Sequence, residues 1–348
     1  MSARVEVSDL ICRRGEFTLG PVSFSAAAGA RCAIVGPSGS GKTTLLRCLA
    51  GLERADSGTI AIGDRVVADG RRHEAPDQRQ LGLVFQEGAL WPHLTALQHL
   101  TFAAPGLAVD AARALLRRGG IDHLESRRPA KMSGGEAQRL GLLRALAPEP
   151  AVLLLDEPLR SVDVHLRDAL VLLVRALADE RALTTILVTH DRDEALALAT
   201  ELVVMHAGRV VERGSASELL AAPRCAFTAA FLAGAACLPT AASGAADRVE
   251  SAFGSFARPT GQRGELRLVL MPGDVEASAP NGQPAAGARV TGNVLASTVG
   301  PHGIANRIAL GDQIVLAHST APLAVGTTAE LTLRNAPRLL PWQSEIES

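Results

Sequence analysis

The stretch Gly36-Pro37-Ser38-Gly39-Ser40-Gly41-Lys42-Thr43 fits the pattern GxxxxGK[ST] in full. It follows the apolar run Cys32-Ala33-Ile34-Val35 directly and precedes a helical pattern over Thr43–Ala50. This order constrains the fold more than any other feature, because a buried strand must end in a glycine loop that opens a helix. In such a loop the glycines let backbone N–H groups turn inward, and the helix N-terminus adds its positive dipole end. The result is an anion nest, expected from Gly36 through Thr43 and Thr44. Lys42 can then reach the β and γ phosphates of a nucleotide, and the Thr43 hydroxyl can take a Mg²⁺ position. Of the 35 basic residues only Lys42 and Lys131 are lysines and the other 33 are arginines. One of the two thus stands where a compact ammonium fits and a broad guanidinium fork does not.

The rest of the chain is compatible with that geometry. Continuous apolar runs recur at Arg31–Val35, Leu81–Phe85, Ala151–Leu155, Thr185–Thr189 and Leu202–Met205. Runs apolar at every position read as strands buried on both faces of a largely parallel sheet. Helical stretches alternate with them, which predicts an α/β fold. The stretch from about 88 to 150 is mostly helical in pattern and reads as a helical subdomain. An uncharged Ala-rich stretch, Cys225–Ala246, has too few strongly lipophilic residues for a membrane span and reads as a short helix followed by a linker. Beyond it, Glu265–Met271, Arg289–Leu295, Ile304–Leu310, Gln313–Ala317 and Ala329–Leu333 are short β-like pieces between turn residues, predicting a small β-barrel or sandwich.

Two further elements carry chemistry. Val152-Leu-Leu-Leu-Asp156-Glu157 puts paired carboxylates at a strand's C-terminal end, where open α/β sheets bind ligands. Asp156 is the expected metal-side carboxylate, and Glu157 the general base that polarises an attacking water. Ser133-Gly134-Gly135-Glu136 fits a capping box at the start of a helix, and its glycines also leave N–H groups free for a second anion. One nucleotide does not need two such sites in one chain. The simplest reconciliation is two copies paired head to tail, each supplying one site to the other's nucleotide.

Composition excludes several alternatives. The net charge is −1 and aromatic residues make up 3%, with no Tyr, so neither a basic field nor stacking platforms support nucleic-acid binding. Five cysteines form no CxxC pair or short Cys/His cluster, which fits unpaired thiols in a reducing compartment. The N-terminus carries no apolar secretory segment.

In this order GPSGSGKT, Gln86 in LVFQEG, MSGGE, LLLDEP and His190 in LVTHD make residues 1–235 resemble the ATP-binding-cassette (ABC) ATPases. The resemblance implies a P-loop NTPase fold with ATP and Mg²⁺ as cofactors. It implies that Gln86 senses Mg²⁺ and couples to a membrane subunit, and that Ser133, Gly134 and Gly135, with Glu136 beside them, meet the γ-phosphate of the opposite protomer. His190 would hold the γ-phosphate and help place the water; Asp163 would join the nucleotide site. Trp91, His93 and Leu94 would line a groove for a permease helix, or else be subdomain core.

Departures from the family pattern are local. The position that usually stacks an aromatic on adenine holds Arg14, with Phe17 nearby, so either could serve. Arg160 replaces a Ser that would face the partner protomer, Met132 and Glu136 replace Leu and Gln, and Lys131 has no derived role. The tail resembles the transport-associated OB-type β domain of bacterial importer ATPases. The expected organisation is therefore an ABC nucleotide-binding domain over 1–235, a linker over 236–263 and a small all-β OB-like domain over 264–340.

The implied function is ATP-driven closure of a homodimer that energises solute import. The homodimer would sit peripherally on the cytoplasmic face of the bacterial inner membrane, against integral-membrane permease subunits. A periplasmic or lipid-anchored solute-binding protein would be an indirect partner, and nucleic acid none. The LWPH and FLAGAACLP segments look most like the ferric-iron type. Polyamine, molybdate, sulfate, phosphonate and sugar are alternative solutes. A soluble regulatory or nucleic-acid-related cassette ATPase is the alternative class, although the 90 residues between Lys42 and Ser133 hold no coiled-coil insertion.

Overall fold

The computed structural model describes residues 2–86, 89–160, 164–243, 247–260, 262, 264–280, 290–300 and 303–343, with backbone alone for 164–166. Residue contacts divide the chain into two compact units, Met1–Ala216 and Ser217–Glu347. The first begins with β1 (Val5–Arg14), β2 (Phe17–Ala26), β3 (Arg31–Val35), α1 (Lys42–Ala50), β4 (Ser57–Ile62), β5 (Arg65–Ala68) and β6 (Leu81–Val84). Three helices follow, α2 (Ala96–Ala103), α3 (Val109–Arg118) and α4 (Gly134–Leu146). The unit ends with β7 (Val152–Asp156), α5 (Val164–Glu180), β8 (Thr184–Thr189), α6 (Arg192–Leu198), β9 (Glu201–His206) and β10 (Arg209–Ser215).

Six strands form one sheet in the order β10-β9-β3-β8-β7-β6, parallel except for the β9–β10 hairpin at one edge. Every residue of β8, and all but the last of β7, is buried, as continuous apolar runs require of a sheet covered on both faces. A second, antiparallel sheet, β2-β1-β4-β5, closes over the core shared with β3, β8 and α1. The expected helical stretch between β6 and β7 is present as α2–α4.

Register decides where function can lie. Val35 pairs with Thr189, Asp156 with Val188, and Val84 with Leu155. The strands therefore end in step, and Gly36, Gln86, Glu157 and His190 all follow strand ends at one edge of the sheet. That edge is where doubly wound sheets hold their ligands.

One buried charge stabilises this frame. Arg79 is fully buried and donates to the carbonyls of Cys48 (2.7 Å) and Leu49 (2.9 Å) at the end of α1, and to Glu74 (2.9 Å). It gives a donor to the Leu49 carbonyl, which the last turn of a helix otherwise leaves open, and a second donor to Cys48, which also accepts from the Gly51 N–H. Arg79→Ala is expected to cost about 3 kcal/mol of unfolding free energy in urea denaturation, since three buried acceptors lose a donor. A variant as stable as the parent would show that those carbonyls find other partners.

The second unit contains α7 (Ala216–Ala221, its first residue in the preceding unit), α8 (Ala226–Ala233), β11 (Ala236–Pro239), β12 (Ala241–Ala242), β13 (Arg248–Ser251) and β14 (Gly254–Ala257). It continues with β15 (Leu266–Leu270), β16 (Val275–Ser278), β17 (Val290–Gly300), β18 (Gly303–Leu310), β19 (Gln313–Ser319), β20 (Thr328–Leu333) and β21 (Arg338–Pro341). Strands β16-β19-β18-β17-β20 close a small barrel around Val275, Val294, Ile308, Val315 and Leu331. The β-barrel reading of the tail is thus realised.

The stretch 236–263 is not the plain linker that its composition predicts, because β11–β14 lie within it. Cys237 and Leu238 pair with Val269 and Leu268, so β11 extends a sheet with β15 and β21. Helix α8 packs Ala226 and Ala229 against Val269, which draws it into this unit. Small Ala side chains carry a weak strand signal, and tertiary pairing supplies what periodicity does not. Among the described residues no helix is long and apolar enough to cross a membrane.

Candidate active site

The loop from Gly36 to Gly41 carries the turn that the motif predicts. A Cβ on Gly36 would stand 2.2 Å from the Met205 carbonyl oxygen, and Gly41 has φ +99° with its Cβ direction blocked by Leu19 and Phe17. Neither position accepts a larger residue without backbone movement. Helix α1 starts with no side-chain cap and no acidic residue in its first turn, which leaves its N–H groups available to an anion. Ser38 and Gly39 are exposed at the loop tip, beside the half-buried Pro37.

Lys42 is buried, and its ammonium donates to the carbonyls of Gly36 (2.8 Å) and Pro37 (2.9 Å), with Ser40 Oγ at 3.5 Å. Burial lowers its pKa, while the nearby Glu157 and Asp156 oppose that shift. The loop thus folds around a fixed cation.

A cavity of about 500 Å³ opens beside the loop, lined among others by Thr43, Arg47, Phe85, Gln86 and Asp156. It brings together all three residues expected at the metal. Asp156 Oδ1 is buried and has no hydrogen-bond partner, and burial followed by Glu157 pushes its carboxyl upward. A carboxylate with an unpartnered oxygen, in a cavity also lined by a hydroxyl and a side-chain amide, offers oxygen donors of the kind that suit a hard divalent cation.

Glu157 lies on a tight turn with φ +44°, its N–H donating to Val188 (2.9 Å). Its Oε1 is 2.9 Å from His190 Nδ1, so the structure joins these two expected catalytic residues directly. Its Oε2 accepts from Arg160 Nη1 at 2.9 Å. Burial raises the Glu157 pKa, but the hydrogen bonds and charges of His190 and Arg160 outweigh it and hold the carboxyl below its usual range. Arg160, expected at a partner's surface, therefore has a partner within its own chain.

The Ser133-Gly134-Gly135-Glu136 turn opens α4. The Ser133 N–H donates to Glu136 at 2.7 Å, and Ser133 Oγ accepts from the Glu136 N–H at 3.4 Å, a complete capping box. No hydrogen bond among the described residues joins this turn to the Gly36–Thr44 loop. A link does run from α4 to the turn after Glu157, where Gln138 Nε2 donates to the Pro158 carbonyl at 2.7 Å. Asp163 lies outside the described residues. Lys131 is exposed.

The adenine candidates differ. Arg14 is paired with Glu53, whereas the half-buried Phe17 ring abuts Gly41 of the phosphate loop. Trp91 packs edge-on against Phe102 at 4.8 Å and lies under the Arg144 guanidinium, so its ring serves the helical subdomain; His93 is exposed.

Sequence reasoning missed Glu194. It is buried on α6, accepts from the Thr189 hydroxyl just before His190, and is pushed up to about 7 chiefly by burial. The sequence pattern His190-Asp-Arg-Asp-Glu194 offers only a helix start. Asp191 provides that start, its side chain accepting from the N–H groups of Asp193 and Glu194.

A glycine loop around a buried lysine, an aspartate with an unpartnered oxygen at the end of β7 and a histidine-held glutamate together define a P-loop nucleotide hydrolase. The chain belongs to the ABC transporter ATPases. Residues 19–160 match the family model described as ABC transporter. The chain is 41% identical over 287 residues to the Fe(3+) ions import ATP-binding protein FbpC 1 of Rhodococcus jostii, covering 81% of this chain and 82% of that one. It is 40% identical over 289 residues to the sulfate/thiosulfate import ATP-binding protein CysA of Burkholderia mallei, covering 80% and 81%. Among solved structures, it is similar to a dimeric ATP-binding cassette in a post-hydrolysis state bound to ADP and Pi. That likeness has a TM-score of 0.54 and 27% identity, and covers 61% of this chain and 98% of the other.

Proposed function

We propose that this ATPase is the energising subunit of a bacterial importer, with ferric iron as its solute. It would work as a head-to-tail homodimer on permease subunits, peripheral to the cytoplasmic face of the inner membrane. The observation that carries the chemistry is the convergence of Thr43, Gln86 and Asp156 on one cavity beside Lys42 and the Glu157–His190 pair. The iron assignment rests on similarity to the Rhodococcus relative.

The residues around the cavity fit Mg²⁺, which Thr43, Asp156 and Gln86 would hold; when bound, it supplies positive charge to the β and γ phosphates. Lys42 and the N–H groups of the loop and α1 bind and orient the phosphates. Glu157 orients a water for attack on the γ-phosphorus and accepts its proton as the bond to ADP breaks. His190 holds the carboxylate at one oxygen and stands next to the γ-phosphate position. The exposed Ser133–Gly134 turn would complete the site of a second copy, and closure of the two copies would be the mechanical output. We assign nucleotide chemistry to residues 1–235 and an accessory role to the β domain over 264–340.

The solute is tested by purifying the chain with the permease that accompanies it and measuring ATPase activity with solute-loaded binding protein. Stimulation by the ferric-iron-loaded protein is expected. Stimulation by sulfate alone would transfer the assignment to that solute, and no stimulation by any solute would overturn the importer reading.

A further inference from the structure

The turn that carries Glu157 folds back on itself. Glu157 has φ +44°, and the Arg160 N–H donates to the Glu157 carbonyl at 3.2 Å. This places the two side chains on the same side of the turn, where Arg160 Nη1 meets Glu157 Oε2 at 2.9 Å. His190 takes the other oxygen at 2.9 Å. Both oxygens of the expected base are thus engaged by donors from its own chain.

A carboxylate turns a water into a nucleophile through an oxygen directed at it. A guanidinium bound to that oxygen draws on the same lone pairs and fixes the carboxylate plane. The Glu157 side chain is only 12% exposed, whereas that of Arg160 is 55% exposed. An ion pair with one arm so open to water is weak and readily exchanged. The contact is therefore built to hold Glu157 and to release it. Among the described residues, Asp156, Lys42 and Glu194 also carry charge near Glu157, and none of them makes a hydrogen bond to its oxygens.

We infer that Arg160 is a brake on the ATPase: it holds Glu157 in a resting orientation and must leave the carboxylate before water is activated. This rests on the reading of Glu157 as the group that activates water. Arg160 is a positioning residue, acting through Glu157. A serine or alanine at 160 cannot reach the carboxylate, whereas a lysine keeps the charge.

The test is steady-state ATP hydrolysis by the full chain, its Arg160→Ser, Arg160→Ala and Arg160→Lys variants, and phosphate release as the readout. Arg160→Ser and Arg160→Ala are expected to raise kcat roughly three- to tenfold at unchanged KM, with Arg160→Lys close to the parent. Nucleotide affinity is compared in Glu157→Gln and in Glu157→Gln/Arg160→Ser, where equal affinities are expected because the effect runs through the carboxylate. An unchanged or lower kcat in Arg160→Ser, or weaker nucleotide binding in the double variant, would overturn the brake and leave the ATPase reading intact. Binding of ATP without any turnover in the parent and in Arg160→Ser and Arg160→Ala alike would overturn both.

Discussion

Glu157→Gln is expected to bind Mg-ATP as the parent chain does and to lose hydrolysis by about 10²–10⁴-fold, the usual worth of a positioned general base. The substitution keeps the size of the side chain and one oxygen that can accept from His190 or Arg160. It removes the negative charge and one of the two acceptor oxygens, and with them the ability to take a proton. Lys42, Thr43 and Asp156 lie outside the change, so the phosphate and metal contacts remain. Phosphate release and equilibrium nucleotide binding, measured side by side, separate the two effects. Turnover retained to within a few-fold would mean that another group activates the water.

Lys42→Ala is expected to act differently, losing both hydrolysis and the stabilisation that ATP gives to the fold. Removing one preorganised charge from the transferring phosphates costs on the order of 10²–10³ in rate. The ammonium is held by two loop carbonyls in a buried setting that already lowers its pKa. Its removal takes away a costly buried charge but also strips the Gly36 and Pro37 carbonyls of that donor, so the two effects oppose and the fold without nucleotide should melt close to the parent temperature. Added nucleotide at about a hundred times its Kd normally stabilises a fold by about 2.7 kcal/mol. That increment should vanish in the variant. A thermal shift with Mg-ATP equal to that of the parent would show that Lys42 is not the phosphate ligand.

What was legible in the sequence is what local patterns specify. A four-residue apolar run, a glycine loop and a helix start are contiguous, so β3, the phosphate loop and α1 could be placed from Cys32 to Ala50. The Asp156–Glu157 pair was legible because it ends an apolar run, and the parallel register then brings it beside the loop. Arg79 was not legible: nothing near it in the chain says that its guanidinium closes a helix ending about thirty residues earlier. Glu194 looked like an ordinary first-turn carboxylate until packing buried it beneath Thr189. Arg160 was expected at the surface that meets a partner copy, and it is exposed; its contact with Glu157 was not legible because the positive φ at Glu157, which turns the chain back, leaves no trace in residue types. The strands β11–β14 were hidden for a related reason, since pieces of two to four residues carry little periodicity and acquire strand character from the neighbours they pair with.

ATP as the ligand proposed to join two copies of this chain is tested most directly in the slow variant. Glu157→Gln is analysed by size exclusion with light scattering, with and without saturating Mg-ATP. The predicted result is a species at the 36.2 kDa chain mass without nucleotide and at twice that mass with it. A variant that binds ATP yet stays at the single-chain mass would contradict the head-to-tail dimer.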